Sequence, residues 1–143
     1  MTIYKNGSIN EELTGGFKVF KQSENASTSI VFEDEYIYGT VSTGYYFARR
    51  ILTNNSIDLT EYTQLHVLYT ASGQYLPTNN FFALGLSTTN NGYEVTVYKS
   101  NSFNGPVTNN ELVLDISDVK GSYYIYNAIG SLTPTYIYSI WLS

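Results

Sequence analysis

The chain has 143 residues, of which 15 are Tyr, one is His and none is Cys; 13% are charged and the net charge is −5. That length suits one domain, residues 1–143, whose core needs no disulfides. The absence of Cys excludes thiol nucleophiles and Cys-ligated zinc, and a pI near 4.6 argues against nucleic acid and anionic membranes as partners.

In chain order, the opening Met1-Thr2-Ile3-Tyr4-Lys5-Asn6-Gly7 enters a strand-and-turn pattern with no apolar leader stretch. If the chain is a complete gene product, the expectation is that it leaves the cell by lysis, as part of a particle, or not at all. Alternating apolar, aromatic and β-branched residues then predict about nine strands. Their spans are Phe17–Gln22, Ser29–Glu33 with Tyr36–Val41 (which also reads as one bent strand), Tyr45–Thr53, Gln64–Ala71 and Phe81–Thr88. Tyr93–Lys99, Glu111–Ile116, Ser122–Asn127 and Tyr136–Leu142 follow. Turn chemistry separates them: Gly15-Gly16, Ser72-Gly73, Asn90-Asn91-Gly92, Asn104-Gly105-Pro106 and Gly121. No segment of ten residues carries a helical period. The longest apolar run, Phe81–Leu86, is far short of the roughly 18 residues of a membrane span. The expected fold is all-β: a jelly-roll-like antiparallel β-sandwich of about nine strands.

Period-2 parity assigns faces. Leu65, Val67 and Tyr69 point one way, with His66, Leu68 and Thr70 opposite. Tyr93, Val95 and Val97 face in and Tyr98 out; Leu112, Leu114 and Ile116 face in. Tyr123 and Ile125 face in, with Tyr124 and Tyr126 out. Tyr138, Ile140 and Leu142 are expected in the core, with Ile137, Ser139 and Trp141 opposite. A short echo links Ile57-Asp58-Leu59-Thr60 to Leu114-Asp115-Ile116-Ser117, each before a turn that Thr60 or Ser117 could cap.

The run Ile57–Val67 resembles the IDLT-x-Y-x-x-L strand motif of a jelly-roll family. Leu114–Ser117 with Gly121–Ile125, the closing Ile137–Leu142, and the opening Tyr4–Gly7 with Thr14–Phe17 are similar to further parts of it. This family occurs in tail-associated and minor structural proteins of phages and prophages of Gram-positive bacteria. It is related more loosely to carbohydrate-binding β-sandwich modules. The resemblance implies synthesis in the bacterial cytoplasm without a signal peptide and a place in a virion, beside other phage structural proteins, or outside the cell after host lysis; it carries no ligand contact over residue by residue. Tyr45–Asn55 and Tyr75–Asn80 match none of its motifs.

Reactive side chains are scarce. His66, the only His, has no nucleophile motif near it. Glu33-Asp34-Glu35 reads as a solvated turn, with a structural Ca²⁺ as the alternative. Asp58 and Asp115 read as turn residues rather than an acid–base pair. A strand sends Arg49 and Arg50 to opposite faces: one is expected to pair with an acid of a neighbouring strand, and the other could fork onto a carboxylate or phosphate of an anionic glycan. Outward aromatics carry the functional reading, because an aromatic face stacks on a sugar ring while its polar tip bonds hydroxyls. Expected ligand-binding residues are Tyr45, Tyr46, Arg49, Tyr75, Tyr98, Asn101, Tyr124 and Trp141; Tyr126, Asn79 and Asn80 lie in the same stretches. The expectation is a non-catalytic phage-associated protein that binds a cell-wall or surface glycan, with no cofactor. An architectural virion subunit with a homo-oligomer contact and an accessory of host lysis stand as alternatives.

Overall fold

Alternation is realised as two antiparallel layers closed over one core. The computed structural model describes residues 1–21, 28–41, 49–71, 81–91, 96–104, 106–129 and 134–143. The expectations placed on Tyr45, Tyr46, Tyr75, Asn79, Asn80, Tyr93 and Val95 fall outside these residues, as does the side chain of Arg49.

Among the described residues thirteen strands form: β1 (Thr2–Lys5), β2 (Ser8–Ile9), β3 (Phe17–Lys21), β4 (Thr28–Phe32), β5 (Ile37–Val41), β6 (Arg49–Thr53) and β7 (Ile57–Asp58) precede β8 (Gln64–Ala71), β9 (Phe81–Ser87), β10 (Val97–Asn104), β11 (Val107–Asp115), β12 (Ser122–Ile129) and β13 (Thr135–Leu142). One helical turn, α1 (Glu11–Thr14), follows β2. The first sheet runs β11-β8-β13-β1-β2, with β5 also paired to β13 and β4 to β5. The second runs β10-β9-β12-β6-β3, with β7 on β12. Every pairing is antiparallel. The architecture is a jelly-roll-like β-sandwich, with more strands than about nine. β1, β2 and β7 are too short to show a period, and α1 is held by a cap: Asn10 Oδ1 accepts from the Leu13 amide at 3.2 Å.

Ser29–Val41 is two strands rather than one bent strand. The Glu33 amide donates to the Tyr36 carbonyl at 2.9 Å, and β4 and β5 pair from Thr28↔Val41 to Phe32↔Ile37. Val97, expected inside, is 44% exposed. A register shift between Val97 and Lys99 rotates the start of β10 out of the core.

The core joins Leu65, Val67 and Tyr69 of β8 and Ile137, Ile140 and Leu142 of β13 to Phe82, Leu84 and Leu86 of β9 and to Ile125 and Ile129 of β12. Tyr69 and Phe82 stack across the layers, with centroids 4.0 Å apart and planes 10° from parallel. Leu59, Ile116 and Val119 plug one end. There the two echoing segments turn together, the Leu59 amide donating to the Gly121 carbonyl.

The caps of those turns are the aspartates, not Thr60 and Ser117. Asp58 Oδ1 accepts from the Thr60 amide at 3.0 Å. Asp115 Oδ1 accepts from the Ser117 amide at 2.9 Å and its hydroxyl at 2.7 Å. These bonds to Thr60 and Ser117 hold both carboxyls below their ordinary 3.8. A lowered native pKa means the contribution is present above about 3.8 and is lost as pH falls through the native value. Melting temperature is therefore expected to drop on acidification below pH about 4. Asp58→Ala with Asp115→Ala should flatten that drop in a series of thermal melts; an unchanged acid limb would remove the turns from the account.

Candidate functional site

The outer face of the first sheet is built around β13. Its first half pairs with β5 and its second half with β1, and the register slips between Ile137 and Ser139 where one neighbour replaces the other. This bulge corrects two expected orientations: Ile137 is fully buried, while Tyr138, expected in the core, is half-buried on the other side of the sheet. A bulge adds one residue to one strand, so parity inverts across it.

The result is a patch of four tyrosines. Tyr36-Ile37-Tyr38 and Tyr136-Ile137-Tyr138 are the same triplet, and they meet antiparallel with Ile137 opposite Ile37 and Tyr136 opposite Tyr38. The isoleucines go in and the four phenols go out. Tyr36 meets Tyr136 edge-on at 5.1 Å and Tyr138 at 6.5 Å, while Tyr38 and Tyr136 lie 5.0 Å apart with planes tilted by 46°. All four rings are half-buried. Burial first, then the neighbouring phenols of Tyr38, Tyr36 and Tyr138, push the Tyr136 hydroxyl above its ordinary 10.0. It therefore keeps its proton and can donate.

Further along β13, Trp141 faces His66 of β8 on one side and Thr2 of β1 on the other. Indole and imidazole stack at 4.8 Å with planes 4° apart. His66 points away from the core as expected but is only 7% exposed. Its Nδ1 bonds Glu111 Oε1 at 2.6 Å and its Nε2 bonds Ser143 Oγ at 2.7 Å. A carboxylate can only accept, so Nδ1 carries a proton; in the neutral tautomer Nε2 accepts from the Ser143 hydroxyl. His66 thus fixes the plane of the indole. His66→Ala is expected to lower unfolding free energy by about 1–3 kcal/mol and to loosen Trp141. Urea unfolding with Trp fluorescence checks both, and an unchanged midpoint would deny the network any structural weight.

On the β1 side of Trp141 the surface sinks into a depression of about 340 Å³ lined by Met1, Thr2, Lys5, Leu68, Ser139 and Trp141.

The second sheet's outer face is more closed. A third identical triplet, Tyr124-Ile125-Tyr126, again sends Ile125 in and both tyrosines out. Tyr126 is nevertheless 3% exposed and packs with Leu52, Ala83 and Ala128, with Phe20 and Tyr124 against them. Its ring lies over Gly85, where a Cβ would approach it to 2.6 Å. Burial raises the Tyr126 hydroxyl above 10.0, opposed by a hydrogen bond with Ser100 and by the charge of Arg50.

The expected ligand residues that are described are thus dispersed. Trp141 lies beside the four-tyrosine patch, and Tyr124 is half-buried on the opposite face. Tyr98 is 52% exposed on β10, stacked on Tyr123 at 4.7 Å. Asn101 spends its side-chain amide on the Val113 carbonyl at 2.7 Å, tying the edge of one sheet to the other. Tyr36, Tyr38 and Tyr136 were not expected as site residues, and the signal that could have found them is the repeated Tyr-Ile-Tyr triplet.

Among the described residues the carboxylates weighed for catalysis or a cation stand apart. Asp58 and Asp115 are exposed, each bonded within its own turn. Glu33, Asp34 and Glu35 form the exposed β4–β5 turn. Among the described residues no three His, Asp or Glu side chains are grouped to hold a cation. No helix among them is long and apolar enough to cross a membrane.

No protein-family model matches the sequence, and neither does any curated protein. Solved structures do. CBM29_1, a family 29 carbohydrate binding module from Piromyces equi, superposes with a TM-score of 0.60 at 16% identity, covering 98% of this chain and 87% of that one. A structure described as CBM4 gives 0.55 at 13% identity, covering 100% and 94%. The enzymatically active domain of tailspike protein 4 from bacteriophage CBA120 gives 0.55 at 14% identity, covering 99% of this chain and 21% of that one. At these identities the likeness is one of fold: the chain shares its β-sandwich with carbohydrate binding modules and with a part of a phage tailspike.

Proposed function

We propose that the chain is a non-catalytic carbohydrate-binding module, and that its binding surface is the tyrosine patch of β5 and β13 extended by Trp141. The observation that carries this reading is the pairing of two identical triplets, which sets four half-buried phenol rings on the outer face, Tyr36 lying 5.1–6.5 Å from the other three and Tyr38 5.0 Å from Tyr136. Ring faces take the C–H face of a sugar and phenol tips bond its hydroxyls. The sheet behind them is rigid, so little ordering opposes binding. The fold shared with carbohydrate binding modules supports the ligand class.

The same proposal places the module on a phage or prophage particle of a Gram-positive host, adhering to an envelope glycan. The sequence resemblance to tail-associated proteins and the fold likeness to a tailspike domain support that placement. Several copies held by other phage structural proteins would raise weak single-site affinity through avidity.

A glycan array and a pull-down on Gram-positive walls, both with multimerised protein, test the reading. Retention on walls, lost on Tyr36→Ala with Tyr136→Ala, is the expected result. No retention, with light scattering reporting a stable oligomer that the same substitutions dissociate, would assign the patch to a subunit contact instead.

A further inference from the structure

The depression beside Trp141 differs in chemistry from the patch it adjoins. The tyrosine rings contact one another, and burial followed by the neighbouring phenols raises the Tyr136 hydroxyl. The depression instead holds one side-chain cation, Lys5, opposite Ser139 in the β1–β13 register, and one flat ring, Trp141, opposite Thr2; the Met1 ammonium, also on the lining, donates to the Leu142 carbonyl at 2.8 Å. Among the described residues Lys5 forms no ion pair; the two that exist are His66–Glu111 and Lys99–Asp118. Glu111 is bonded to His66, which packs against Trp141 from β8, on the far side of β13 from β1. Lys18 and Lys120 are also exposed and outside any ion pair; Lys5 differs from them in sharing a depression with an aromatic ring.

We propose, resting on the carbohydrate-binding reading above, that this depression takes an acidic sugar residue of the bound glycan. The sugar ring lies against the indole, whose plane His66 fixes. Its acid substituent, a carboxylate or a phosphate, meets the Lys5 ammonium. The hydroxyls of Thr2 and Ser139 are placed to bond ring oxygens. A depression of about 340 Å³ is at the small end of ligand pockets, about 300–1,000 Å³, which suits one residue of a glycan rather than a run of them. The ligand class is therefore a mixed polymer: neutral residues on the tyrosines, one acidic residue at Trp141.

The test titrates the full chain with three tetrasaccharides of one backbone: cellotetraose, its C6-oxidised glucuronate counterpart and its 6-phosphate. Both acidic forms should bind about tenfold tighter than the neutral one at low salt, a preference that shrinks as salt rises. A preference for only one of them tells which acid the site takes. Lys5→Gln should erase the preference while leaving neutral affinity within about twofold, and Lys5→Arg should keep it. Equal affinity for neutral and acidic forms, or a preference that survives Lys5→Gln, would overturn the inference while leaving carbohydrate binding standing. Failure of all three tetrasaccharides to bind overturns it too; a silent glycan array would then take the underlying reading with it.

Discussion

Replacing Tyr36 and Tyr136 together by alanine is expected to cut glycan affinity by between about 5- and 150-fold while leaving the fold intact. The range follows from roughly 0.5–1.5 kcal/mol for each well-placed aromatic contact and two contacts removed. Tyr36 and Tyr136 pack on each other at 5.1 Å, so removing one ring also frees the other, and the double variant should lose less than the sum of the singles. Both side chains stand outside the core, so the variant should keep its far-ultraviolet spectrum and melt within a few degrees of the parent. Tyr136→Phe separates the two functions of the ring: it retains the stack and loses the hydroxyl. Calorimetric titration with an array-selected glycan measures each step. A double variant that binds like the parent would move the site to another face.

The largest effect on stability is expected at the seam between the layers. Phe82→Ala removes the partner of the Tyr69 ring, stacked at 4.0 Å with both residues buried to 2% exposure or less. Truncating a buried Phe costs about 3–5 kcal/mol through lost transfer energy and an incompletely collapsed cavity. Total stability for a domain is about 5–15 kcal/mol, so such a loss can leave a visible unfolded fraction without denaturant. Urea unfolding should show a lower midpoint at unchanged slope, and Phe82→Leu should recover much of it. A cost under about 1 kcal/mol would mean the layers are not clamped there.

The sequence exposed the two-layer fold because alternation is a local property. Gln64–Ala71 matches its strand to the residue, since Leu65, Val67 and Tyr69 alternate with His66 and Leu68 and no bulge interrupts them. The faces of β13 were legible from Ser139 to Leu142 and inverted at Ile137 and Tyr138, because the bulge between Ile137 and Ser139 depends on which strand lies alongside. That one register slip moved Tyr138 from the expected core to the outer patch. Tyr126 shows the converse: its parity was right, but burial on the outer face needed Gly85 beneath the ring and Leu52 beside it. The site was harder than the fold because it comes from pairing. Neither Tyr36–Tyr38 nor Tyr136–Tyr138 is informative alone, and nothing local to either says they are antiparallel neighbours 100 residues apart. Trp141 could be placed outward by parity, whereas its stack on His66 could not.

Trp141 is the only tryptophan of the chain, lines the depression and shares its strand with Tyr136 and Tyr138, so its fluorescence reports the proposed surface. Titration with a glycan that binds by calorimetry should shift or quench that emission saturably, with the same dissociation constant, and without any change in the length of the recovered glycan. Binding that leaves the emission untouched, or a glycan returned shorter than it was added, would contradict the account.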